Sequence, residues 1–149
     1  MSWVDVVIIA LCVSIAALEA KRGFTAAALD LAGLVIVTLL VTQFSSSVAG
    51  SMSPGVAYGV LWVFLAAAVI TVVKFINDAT RFDIGAFDTS LAGVLGLCSG
   101  VAVSYALCEM LNRIAGGAHA AVTAAALAPE VHDFRTFRSI IGFFRRLGE

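Results

Sequence analysis

From its start, the chain alternates long apolar runs with short polar breaks. Residues 4–18 are apolar apart from Asp5 and Ser14, and Trp3 precedes them. A compact break follows, with Glu19, Lys21 and Arg22 ahead of Gly23, which lets the backbone turn. Residues 24–44 form a second run, long enough to cross a bilayer, whose one charge is Asp30. This succession predicts two membrane helices joined by a tight turn, and the rest of the chain reads as a second, looser copy of that hairpin. The first run is short against the roughly 20 residues that span a ~30 Å hydrocarbon core. Trp3 suits an interfacial anchor, and Asp5 is expected near the lipid headgroups.

Ser45 to Gly55 is rich in serine and glycine, contains Pro54 and carries no charge, which marks an exposed connection. A third span is expected at about 56–76, with Tyr58 and Trp62 toward its start and Lys74 near its end. The polar stretch from Asn77 to Asp88 separates it from a fourth, at about 90–111. Gly93, Gly96 and Gly100 fall within this last span. Gly96 and Gly100 share one helical face, and small residues so spaced let two helix backbones approach closely in lipid.

Beyond Arg113 the chain turns alanine-rich for about 15 residues, too weak for a fifth span; a packed or surface helix, or a partly re-entrant segment, is expected. The tail differs in kind. Phe134, Phe137, Ile141 and Phe144 recur at helical spacing, with Arg135, Arg138, Arg145 and Arg146 mostly between them. That pattern predicts an amphipathic helix from about Pro129 to Leu147, lying in the headgroup plane or docked on a partner.

Composition removes the soluble alternative. The chain of 149 residues is 61% hydrophobic and 13% charged, where soluble domains hold about 45–50% and about 25%. The fold class is therefore all-α: a polytopic membrane protein with four transmembrane helices in residues 1–112 and an alanine-rich segment with an amphipathic tail in 113–149. A net charge of −1 gives no reason to expect a nucleic-acid partner. Lys21 and Arg22 flank the first connection, Lys74 and Arg81 the third, and the middle one has no basic residue. Positive-inside reasoning then places both termini outside, although the arginines of the tail oppose it. No basic residue precedes the first run, which reads as a retained helix and not a cleaved signal peptide.

Several of these residues together suggest a family. Trp3-Val4-Asp5 opens the chain, Arg22-Gly23-Phe24 makes the first turn, Leu31-Ala32-Gly33 follows, and Asp88 precedes the glycine-spaced last helix. In that order they resemble the colicin V production protein family of bacterial inner membranes, over roughly residues 2–110. The chain departs from the family pattern in Thr25-Ala26-Ala27-Ala28 after the turn and in Thr89 after the aspartate. The resemblance implies an inner-membrane accessory role linked to toxin production, with no catalytic residues. Some relatives look like membrane modules fused to an external serine protease domain, in agreement with an outside C-terminus.

Few residues can carry chemistry. Asp30 is the candidate, because an ionisable group within a span is costly and often functional; snorkelling or a partner such as Ser14 would relieve it. Glu109 is expected at the interface. Asp5 and Asp88 belong to opposite faces and cannot pair. His119 and His132 read as isolated, and Cys12, Cys98 and Cys108 as small buried hydrophobes without metal or disulfide spacing. No catalytic, cofactor-binding or metal-ligating set is legible. Three functions stay open: an accessory protein in export or envelope homeostasis, acting through membrane or periplasmic partners; an oligomeric small channel or ion-coupled transporter using Asp30; and an anchor for an external partner such as a protease.

Overall fold

The computed structural model describes residues 2–50, 52–80, 85 and 87–133. Four long helices follow in chain order: α1 (Trp3–Arg22), α2 (Phe24–Val48), α3 (Pro54–Thr80) and α4 (Asp88–Ile114). Two short ones, α5 (Ala120–Thr123) and α6 (Ala128–Asp133), come after. No strand occurs among the described residues. All four long helices are of a length and composition that can cross a membrane. The first span is longer than its apolar run: α1 has 20 residues, which at about 1.5 Å per residue matches the hydrocarbon core. Ser2 extends it at the start, because its side chain accepts from the Val4 amide while Asp5 accepts from the Ser2 amide. α2 and α3 likewise run past their apolar stretches, to Val48 and Thr80. The predicted amphipathic helix falls mostly outside the described residues. Its first turns are α6, and Phe134, Arg135, Phe137, Arg138, Ile141, Phe144, Arg145 and Arg146 lie beyond them.

The hairpin does not organise the bundle. α1 packs chiefly on α4 and touches α2 only slightly, whereas α4 contacts all three other long helices. The reason is close approach. A Cβ on Gly96 would stand 2.7 Å from Cα of Ala16, and one on Gly100 2.5 Å from Cα of Cys12. Only hydrogen fits there, so the α1 and α4 backbones meet directly. Gly93 is looser, 3.8 Å from Ala20 Cβ. On the other flank Leu34, Val37 and Val41 of α2 and Tyr58 and Ala66 of α3 close around Ala106 of α4. The outward surface stays apolar: Phe64 is 71% and Phe75 79% exposed. Water would not tolerate such a surface, and lipid does.

The connections define two faces. The turn face holds the α1–α2 turn and the start of α4. The terminal face holds Ser2, the α2–α3 connection and the segment beyond α4. That alanine-rich segment folds back as a cap: Val122, Ala125, Ala128 and Val131 bury themselves against Val4, Ile8 and Cys108. Asp5, expected near the headgroups, is instead wholly buried beneath it. Its carboxylate accepts from the Leu127 amide at 2.8 Å, and Ser2 Oγ donates to the Ala121 carbonyl at 3.0 Å. Trp3, 54% exposed, keeps the position of an interfacial anchor.

Candidate functional site

On the turn face, residues far apart in the chain converge. Gly23 closes α1 and starts α2 with φ +92, a conformation that side chains rarely adopt. Having no side chain, it cannot cap α2. The cap comes from Asp88, 64 residues beyond Phe24, whose two oxygens accept from the Phe24 amide at 3.2 Å. Asp88 is also the first residue of α4. One carboxylate thus faces the positive ends of two helices. A Cβ on Gly23 would lie 2.6 Å from Asp88 Oδ2, so the turn admits only glycine on steric grounds as well. Gly23 and Phe24 thus form one joint with Asp88.

Beside the joint, Arg22 turns inward. Its Nη1 donates to Glu19 Oε1 at 3.0 Å and to Asp30 Oδ2. Asp30 is thereby reached by an arginine from the end of the preceding helix, and Ser14, the partner expected from sequence, is exposed and plays no part. Glu19 and Asp30 are 5% and 2% exposed, while the Arg22 side chain keeps 31% exposure. The arginine stem spans the depth between an aqueous opening and two sunken carboxyl groups. Sequence reading singled out Asp30 and overlooked Glu19 as its neighbour. The spacing of three between Glu19 and Arg22 was the available signal; the reach across the turn to Asp30 had none.

A second polar cluster occupies the terminal face. Arg113 donates through Nε to Glu109 Oε1 at 2.7 Å and through Nη1 to Ser45 Oγ at 2.7 Å. Its guanidinium lies 4.7 Å from the centroid of the Tyr58 ring, a cation–π distance. Glu109 Oε2 is 3.2 Å from His132 Nε2, and the His132 ring stacks on Tyr105 with centroids 5.2 Å apart. His132 is therefore not isolated; it ties α6 to α4. Burial alone would lower its pKa, but hydrogen bonds to Asp133 and Glu109 prevail and raise it above 6.5. His119 caps α5, accepting the Ala121 amide at Nδ1, while its own amide donates to Asn112 Oδ1. Cys108 is buried, Cys12 half-buried and Cys98 exposed, each a free thiol.

Asp5 and the joint of Gly23, Phe24 and Asp88 lie at opposite ends of α1, so the motif residues form two separate sites. Gly96 stands near the turn-face cluster, since its hypothetical Cβ would also meet Glu19 Cβ at 2.9 Å. Compared with known proteins, the chain matches no family model, no curated protein and no solved structure.

Proposed function

We propose that this is a non-enzymatic accessory protein of a bacterial inner membrane, of the kind the colicin V production family represents, that serves export or envelope homeostasis through membrane or periplasmic partners. The observation that carries this reading is the joint: the Phe24 amide, from the Arg22-Gly23-Phe24 turn, meets Asp88 at 3.2 Å. These are the residues on which the resemblance rests, and a pattern whose distant parts touch behaves as a structural unit. The terminal face supports the partner side of the reading. There α6 is seated on α4 through His132 and Glu109. Positive-inside reasoning puts this face outside the cytoplasm.

Deletion of the gene should produce an export or envelope-integrity defect that the wild-type chain restores. Crosslinking in native membranes should capture a stoichiometric protein partner through the terminal face. A deletion strain with normal export and envelope, together with crosslinks to lipid alone, would reject the proposal.

A further inference from the structure

Two buried carboxyl groups share one guanidinium at the turn face. Glu19 is 5% and Asp30 2% exposed. Arg22 satisfies one oxygen of each, Oε1 of Glu19 and Oδ2 of Asp30. The remaining oxygens, Oε2 of Glu19 and Oδ1 of Asp30, are buried without a hydrogen-bond partner. The same nitrogen, Arg22 Nη1, reaches both groups, so the two carboxyl groups are neighbours. Fully ionised, the cluster would hold two negative charges against one positive. An uncompensated buried carboxylate is expensive, and the cheapest remedy is to bind a proton.

Among the described residues, no neighbouring group supplies the missing charge. Asp88, from α4, adds a further carboxylate at the same turn. Lys21 on α1, and Lys74 and Asp78 at the near end of α3, are exposed. A metal ion fits poorly. Hard cations take about six or more oxygen ligands, whereas only two oxygens here await a partner. Among the described residues no three His, Cys, Asp or Glu side chains are placed to hold a metal.

We propose that Glu19 and Asp30 form a proton-binding pair, holding one exchangeable proton between them with Arg22 as the fixed counter-charge. The proton is taken up from water at the turn face, where Arg22 is partly exposed. Uptake brings the cluster from one net negative charge to neutrality. Release restores the charge against the α1–α2 turn. This site stands apart from the accessory reading; a deletion phenotype tests that one, and proton binding is read on the purified protein.

The test is infrared spectroscopy of the full chain in lipid nanodiscs across a pH series. Wild type should show, at neutral pH, the C=O stretch of a protonated carboxyl, displaced in heavy water and lost as pH rises. Glu19→Gln and Asp30→Asn each leave one carboxylate balanced by Arg22, so either should abolish the neutral-pH band. Arg22→Gln should strengthen it, because both carboxyl groups then lack a counter-charge. The wild-type measurement needs no substitution, so a variant that fails to fold cannot shield the proposal. Absence of any protonated carboxyl in wild type at neutral pH would overturn it. So would a band left unchanged by both isosteric variants, which would belong to another carboxyl such as Asp5 or Glu109.

Discussion

Gly23 serves two helix ends at once, and its value lies in what it lacks. With φ +92 and Asp88 Oδ2 at 2.6 Å from any Cβ, a side chain would meet both backbone strain, about 1–3 kcal/mol, and a collision with the capping carboxylate. Asp88→Ala should lower stability by roughly 1.5–3 kcal/mol, the usual loss for a hydrogen bond to a charged group. Gly23→Ala should cost at least as much. The double variant should cost less than the two summed, because the collision vanishes with the carboxylate. Reversible unfolding of all three variants in mixed micelles measures this; strict additivity would mean that the joint is not a mechanical unit. Arg22 illustrates the same scale differently. Its charge is legible in sequence as a topology signal, yet the side chain is spent inward on Glu19 and Asp30.

At the scale of elements, α4 is the axis, and glycine spacing decides what it can accept. Gly100 abuts the α1 backbone, whereas Gly93 has ordinary clearance from Ala20. Gly93→Ala should therefore be neutral or stabilising, by up to about 1 kcal/mol, since alanine orders a helix better than glycine does. Gly100→Ala should destabilise, by about 1–3 kcal/mol or more, through overpacking. Equal effects at the two sites would contradict the α1–α4 contact. The cap formed by α5 and α6 depends partly on His132. Its pKa is raised above 6.5 in the folded chain, so its contribution is complete below about pH 6.5 and is lost as pH climbs through the raised value. Hydrogen exchange in residues 120–133 should thus quicken as pH rises, beyond the intrinsic chemical trend. His132→Gln should remove that excess. An excess that persists in His132→Gln would assign the dependence elsewhere.

For the whole molecule, four spans put the α1–α2 turn on one face and both the α2–α3 connection and the cap on the other. Single cysteines in a thiol-free background should report this with a membrane-impermeant reagent. Ser53→Cys and Ala118→Cys, both at exposed positions, should label from one side, and Lys21→Cys from the opposite side. Labelling of all three from one side would contradict the four-span arrangement. Which side is outside depends on a handful of basic residues, and one of them, Arg22, is held in an internal ion pair. The α1–α4 contact is built from residues about 80–90 positions apart, such as Cys12 and Gly100. Folding must therefore bring the last span back to the first before either is fully packed.

The apolar runs by themselves determined that the chain is helical, that it holds four membrane-length helices, and roughly where each lies. Lipid leaves a backbone no other way to satisfy its polar groups without a closed barrel, so hydropathy and length suffice. The small-residue face of α4 was also written locally. The partner of each helix was not. Adjacent runs suggested a hairpin, but helices in lipid choose neighbours by fit, and the fit of Gly96 and Gly100 against Ala16 and Cys12 is a property of two surfaces. The polar sites followed that choice. Asp88 reaches Phe24, Asp5 reaches Leu127 and Arg22 reaches Asp30 only after the bundle has formed. Each pairs groups that no sequence period relates, because a turn, a span or the whole bundle separates them. Where a charge may rest in this molecule was therefore decided by tertiary structure: burial made Asp5, Glu19 and Asp30 need partners, and packing alone determined which partners stood within reach.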